Sequence, residues 1–240
     1  MELNYYMKGC ISGMVGITLS HPIDSIKTHW QTNNLQPFKY SIRNLYRGIT
    51  APLIGVGIEK ALVFGTYNYC KSNNLSTPMS GAIAGLIASV VVSPYERIKI
   101  LRQTNNSLSL KMCLTPSFLF KGIGTTCTRE VPGFAIYFST YEKLKSYFFT
   151  KNNPITLPCS FLFGGISGTM AWIFIYPQDR IKTIVQNDIK NNLNVFRLIE
   201  TIYRKGGIRH FYSGFSFAVG RAILLHSGTF CMMEILDRKN

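Results

Sequence analysis

Pro22-Ile-Asp24-Ser-Ile-Lys27-Thr-His-Trp-Gln31, Pro94-Tyr-Glu96-Arg-Ile-Lys99-Ile-Leu-Arg-Gln103 and Pro177-Gln-Asp179-Arg-Ile-Lys182-Thr-Ile-Val-Gln186 are three copies of one pattern, P-x-[DE]-x-x-K-x-x-x-Q. The prolines fall about a third of the chain apart, so the pattern marks an internal repeat. Within each copy the acid and the lysine are three residues apart, which on a helix places them on nearly the same face. The glutamine follows one turn later. Three such helices in a ring, each offering one acid and one base, can close a cyclic network of ion pairs.

The surroundings repeat as well. Before each proline stands a small-xxx-small pair: Gly9/Gly13, Gly81/Gly85 and Gly164/Gly168. That spacing lets membrane helices approach closely. After each motif comes an aromatic-x-Gly signature: Tyr46-Arg47-Gly48, Phe120-Lys121-Gly122 and Tyr212-Ser213-Gly214. A second apolar helix follows each. The pattern predicts three helix hairpins, over 1–76, 77–152 and 153–240, with a proline kink in the first helix of each.

Charge is distributed as a membrane requires. Residues 9–23, 72–95 and 152–178 contain no Lys, Arg, Asp or Glu. The last two windows are long enough to span a bilayer core at about 20 residues. Segments 49–70, 122–141 and 213–233 are also apolar but carry Glu59-Lys60, Arg129-Glu130 and Arg221 near their middles. Charge at that depth is costly and faces a bundle interior or a water-filled cavity. The 240 residues hold 26 Lys+Arg against 11 Asp+Glu, net +15, yet only 15% are charged and mean hydropathy is +0.11. Such a composition rules out a disordered chain and points away from an ordinary soluble enzyme. Six cysteines, scattered singly, offer no zinc spacing. The start shows neither a secretory leader nor an Arg-rich presequence. Abundant Asn, Lys and Ile suggest an AT-rich genome, such as that of a parasite or a large DNA virus.

With these motifs the sequence resembles the mitochondrial carriers, solute carriers built from three tandem two-helix repeats. The resemblance covers essentially the whole chain. It implies an all-α fold with six transmembrane helices and threefold pseudosymmetry, both termini on one side, in the mitochondrial inner membrane (a host's, if the gene is viral). It departs from the family at His29, Leu101 and Ile184, where a second basic residue is usual. The acidic-Gly pair before the aromatic-x-Gly signature is missing too, apart from Gly207.

The resemblance implies roles. Asp24–Lys99, Glu96–Lys182 and Asp179–Lys27 would form a matrix-side gate braced by Gln31, Gln103 and Gln186. At the other end the family places [FY]-[DE]-x-x-[KR] on each even helix. Tyr141-Glu142-Lys-Leu-Lys145 matches fully, whereas Tyr67-Asn68-Tyr-Cys-Lys71 lacks the acid and Met233-Glu234-Ile-Leu-Asp237 lacks the base. One ion pair, Glu234–Lys71, is expected there. Asn68 would hydrogen-bond Lys145, and Glu142 would face Asp237 unless Arg238 substitutes. Thirteen residues before Asn68, Glu142 and Glu234 stand Gly55, Arg129 and Arg221, at the depth of the family's substrate contacts. Glu59, Lys60, Glu130 and His226 complete the expected substrate site. An inter-helix bridge such as Arg129–Glu59 is the structural alternative. The aromatic-x-Gly turns, with Arg47, Gly48, Lys121, Gly122 and Gly214, are expected to hold cardiolipin, since helix starts attract phosphate.

The Arg129-Glu130 pair resembles the carnitine and amino-acid branches and suggests a small zwitterion. Two arginines and Lys60 would also clamp the phosphates of a nucleotide or deoxynucleotide, which is the alternative. A basic soluble nucleic-acid-binding protein is the rival of another class, but its charge should form an exposed patch. No nucleophile–base set, P-loop or dinucleotide fingerprint suggests an enzyme. No metal, cofactor or nucleic-acid partner is expected, and the carrier should act as a monomer. The stretches after Gln31 and Gln103 are short. Only that after Gln186 has comfortable room for the usual loop helix, with Phe196, Ile199, Ile202 and Tyr203 at helical spacing, so the first two loop helices should be short or distorted.

Overall fold

A computed structural model of the chain describes residues 4–31, 41–46, 49–104, 115–120, 122–149, 155–187, 194–212 and 215–238. The described residues form α1 (Tyr5–Gln31), α2 (Ile42–Leu45), α3 (Thr50–Ser72), α4 (Thr77–Thr104), α5 (Pro116–Leu119), α6 (Ile123–Phe148), α7 (Leu157–Asn187), α8 (Val195–Phe211) and α9 (Phe215–Arg238). Six of these are long: α1, α3, α4, α6, α7 and α9. Each long helix packs on the next in chain order and α9 returns to α1, so the bundle closes as a ring. This is the expected six-helix, three-repeat architecture. Pro22, Pro94 and Pro177 lie inside α1, α4 and α7, which continue past them to the ends of the motifs.

The small-residue pairs set the spacing of the ring. A Cβ on Gly9 would sit 2.5 Å from the Lys60 carbonyl oxygen. On Gly81 it would lie 2.6 Å from that of Phe134, and on Gly164 2.6 Å from that of His226. Lys60, Phe134 and His226 occupy the same register of α3, α6 and α9. Each hairpin is thus closed backbone to backbone at one depth.

The loop end repeats too. The residue before the motif proline meets the aromatic of the following turn in two repeats. His21 lies edge-on to Tyr46 at 6.1 Å, and Tyr176 stacks on Tyr212 at 6.0 Å. The first two loop helices are single turns, whereas α8 runs for 17 residues with a break at Gly206–Gly207.

Both described ends meet at the opposite, terminal end, where Lys8 Nζ lies 2.7 Å from Asp237 Oδ1. Outward faces carry Leu86 and Val90 of α4, Leu162 and Phe174 of α7, and Ile54 and Ile58 of α3, all exposed. Among the described residues three helices are long and apolar enough to cross a membrane, over Thr77–Pro94, Leu157–Val185 and Ala218–Arg238. In α3 and α6 the interrupting charges turn inward, so these helices rely on the ring rather than on their own composition.

Overpacking a close backbone contact costs about 1–3 kcal/mol or more. Gly81→Leu should lower the melting temperature in detergent by several degrees. Gly124→Ala, where nothing lies within 4 Å of the added carbon, should leave it unchanged or raise it. Equal melting temperatures for the two variants would contradict the close helix approach.

Candidate functional site

The ring encloses a cavity of about 320 Å³. Its charged lining comes from Glu59 and Lys60 of α3, Glu96 of α4, Arg129 and Glu130 of α6, Asp179 and Lys182 of α7, and Arg221 of α9, with His226 deeper on α9. Sequence segments far apart are brought to one space by the threefold register. Gly55 is not among the lining residues, and the neighbouring Val56 takes that place.

Arg129 organises the floor. Its Nη1 donates to Asp179 Oδ1 at 2.8 Å and its Nη2 to Glu96 Oε1 at 3.2 Å. Nη2 also meets the adjacent Glu130 carboxylate. Glu96 in turn receives the Lys182 ammonium, whose side chain is 2% exposed. Glu96 and Lys182, expected as one pair of the gate, are therefore in contact. The bridge from Arg129 to Glu59, named above as the structural alternative, is not formed; Arg129 bridges to α4 and α7 instead. Glu59 instead faces Lys60 Nζ at 3.2 Å. A guanidinium on a three-carbon stem reaches roughly one helical turn of about 5.4 Å, so an arginine at substrate depth meets the acids of the motif below it. Arg129 thus joins the residues expected at the substrate site to the acids expected in the loop-end gate.

The other motif residues, Asp24, Lys27, Gln31, Lys99, Gln103 and Gln186, are described in backbone only, so the pairs Asp24–Lys99 and Asp179–Lys27 lie outside the described side chains. Arg47, Gly48, Lys121 and Gly214 of the turns lie outside the described residues. Gly122 is described. Its φ of 81° is left-handed, and it caps the start of α6.

Lys60 is buried, with its ammonium 4.8 Å from the Phe134 ring centroid and 5.8 Å from that of Tyr137. His226 packs against Tyr137 at 4.8 Å. Beyond them an aromatic layer fills the centre. Tyr67 stacks on Phe138 at 3.8 Å, and Phe230 stacks on Tyr141 at 3.5 Å and on Tyr137 at 4.8 Å. These side chains come from α3, α6 and α9, and they separate the cavity from a smaller hollow of about 70 Å³ at the terminal end.

Around that hollow the pairing differs from expectation. Glu234 lies 3.8 Å from Lys145 and 3.3 Å from Arg238. It does not take Lys71, which donates to Thr77 Oγ1 at 3.3 Å across the tight turn that follows α3. Asn68 carries no charge, so Lys145 turns to Glu234. The Asn68 amide donates to the Phe64 carbonyl at 2.8 Å. Asp237 pairs with Lys8, a residue that motif reasoning passed over.

Arg97 and Arg180 were also missed. Each follows the motif acid. The Arg97 guanidinium lies 4.5 Å from the Phe118 ring centroid, beside α5. That of Arg180 meets the His210 carbonyl, and its Nη2 lies 3.2 Å from His210 Nε2 in α8. These arginines hold the loop helices, and the repeated Asp/Glu-Arg dipeptide was the available signal. Among the described residues no group of His, Cys, Asp and Glu is placed to hold a metal ion.

A family model described as mitochondrial carrier protein matches residues 3–76, 71–152 and 153–239. The mitochondrial basic amino acids transporter of Bos taurus is 27% identical, over 96% of this chain and 90% of its own length. The mitochondrial carnitine carrier of Saccharomyces cerevisiae is 28% identical, over 98% and 86%. The mitochondrial glycine transporter YMC1 of the same yeast is 28% identical, over 97% and 90%.

Removing one member of a buried ion cluster costs about 3–5 kcal/mol. Arg129→Met should therefore markedly lower the melting temperature. With Glu96→Gln added, the loss should be smaller than the sum of the single losses by about 1 kcal/mol or more. Strict additivity in this double-mutant cycle would mean that Arg129 does not bridge α6 to α4.

Proposed function

The chain belongs to the mitochondrial carrier family, a solute transporter of the mitochondrial inner membrane and not an enzyme, and from that premise we propose that it exchanges a small zwitterion of the amino-acid or carnitine type. The observation that carries this reading is charge balance. Among the described lining residues Glu59, Glu96, Glu130 and Asp179 stand against Lys60, Arg129, Lys182 and Arg221. Lys60, Arg129 and Lys182 already contact carboxylates. A polyphosphate needs uncompensated cations, and seating one here would strand acids in a low-dielectric space. A zwitterion brings one charge of each sign. Its carboxylate can take Arg129 while its ammonium takes Glu130, so it adds no net charge to the cavity. A volume near 300 Å³ is at the small end for ligand pockets, which also suits such a solute. The relatives named for basic amino acids, carnitine and glycine support the same class.

The exchange of partners supplies a mechanism. Arg129 ties α6 to α4 and α7 at the loop end. A substrate carboxylate that engages the guanidinium releases Glu96 and Asp179 and loosens that end. Binding energy then shifts the equilibrium between two access states. Arg221, Lys60 and His226 complete the contacts, the remaining motif pairs close the loop-end gate, and cardiolipin seats at the turn represented by Gly122. The carrier works as a monomer.

Proteoliposomes preloaded with each solute of a panel test this: amino acids, carnitine, ribonucleotides and deoxynucleotides. Exchange of an amino acid or carnitine is expected, reduced about 100-fold or more by Arg129→Ala. Glu130→Gln should raise the half-saturation constant for ammonium-bearing substrates. Nucleotide exchange, with amino acids and carnitine inert, would overturn the zwitterion reading in favour of a phosphate clamp by Arg129, Arg221 and Lys60.

A further inference from the structure

The terminal hollow poses an electrostatic problem. Its lining holds three carboxylates, Glu142, Glu234 and Asp237, and one ammonium, Lys145. Asp237 stands at the position where the repeat pattern expects a base. Lys145 and Arg238 are both engaged by Glu234. Compensation for Asp237 comes from outside the even helices. Lys8 of α1 places its ammonium 2.7 Å from Asp237 Oδ1, with its side chain 7% exposed against 44% for Asp237.

The contact ends a continuous seam between the first and third repeats. Gly16 and Gly228 bring α1 and α9 together, with the Gly16 Cα 3.2 Å from a Cβ built on Gly228. One turn closer to the terminal end Ser12 Oγ donates to Met233 Sδ at 3.7 Å. Lys8 follows one turn further on, beside the Tyr5 ring at 5.2 Å. A repeat-to-repeat seam of this kind must loosen wherever the three repeats part at this end.

We propose that Lys8 is a gate residue, the base that closes the terminal end between the first and third repeats in place of the one missing at position 237. On the reading of the chain as an exchanger, the pair forms when the terminal end shuts and breaks when it opens. Breaking is feasible because a buried ammonium regains hydration as it loses its partner, and the two effects largely offset. The carboxylate side is already half in water, so only the lysine changes environment. Without Lys8, three acids crowd the hollow and the shut form loses stability against the open one.

The test compares exchange measured from the two faces of oriented proteoliposomes. Lys8→Met favours the form open at the terminal end. It should lower the half-saturation constant on the face which that form presents and raise it on the other, each about fivefold. The swap Lys8→Asp with Asp237→Lys should return both towards the original values. Shifts in the same direction on both faces, or a lower maximal rate with unchanged half-saturation, would reduce Lys8 to a packing role and overturn the proposal. Melting temperatures in detergent give a readout that needs no substrate. Lys8→Met with Asp237→Asn should be more stable than Lys8→Met alone, and additive losses would overturn the pair. If Lys8→Met folds poorly, that double variant carries the two-face comparison. Should the wild type exchange some other solute instead, the zwitterion reading fails, and the same comparison with that solute still decides the role of Lys8.

Discussion

Arg129 placed among three carboxylates is the constraint around which the bundle is arranged. One guanidinium joins Asp179 on α7, Glu96 on α4 and Glu130 on its own helix. It does so at 12% exposure, where neither the cation nor the acids could stand alone. The arrangement is stable because each of these charges has a partner, and it is fragile because three carboxylates share one guanidinium. A solute able to offer a carboxylate and an ammonium competes for both sides of the cluster at once. On the proposed zwitterion reading, binding and loosening of the loop end are the same event.

The two ends of the molecule are closed by different physics. At the loop end closure is ionic, built from Glu96, Lys182, Asp179 and the shared Arg129. Towards the terminal end it is largely aromatic, with Tyr67, Tyr137, Phe138, Tyr141 and Phe230 stacked across three helices. Stacked rings contribute about 0.5–1.5 kcal/mol per pair beyond their buried area. Only outside this layer do ion pairs return, and there they are rearranged. Asn68 and Asp237 interrupt the ring that the repeat pattern implies, and Lys145, Arg238 and Lys8 supply other pairs. The chain thus replaces a lost pairing scheme with charges from neighbouring turns and from a helix outside the pattern.

The glycines explain how this fits within a narrow ring. Gly9, Gly81 and Gly164 touch the backbone of the partner helix at the register of Lys60, Phe134 and His226. Those three residues sit just beyond the charged cluster, between it and the aromatic layer. Close helix approach at that depth keeps the cavity small and brings α3, α6 and α9 near enough for their rings to stack. Packing that is silent in function sets the size of the functional space.

The sequence by itself determined the architecture. Three copies of a ten-residue pattern, three small-residue pairs and three aromatic-x-Gly turns admit one arrangement, because a repeat that cannot bury its own charged face must close on its neighbours. It also determined the depth of Arg129, Glu130 and Arg221, since register along a helix follows from counting. It did not determine partners. Whether Arg129 reaches Glu59 or Glu96 depends on a long side chain crossing between helices, and no spacing along the chain encodes that. The pairing of Lys145 with Glu234, the turning of Lys71 to Thr77 and the union of Lys8 with Asp237 were decided only by the tertiary structure. Positions are set by helical periodicity, which is local. Ion pairs are set by competition among all charges within reach, and only the folded ring defines that reach.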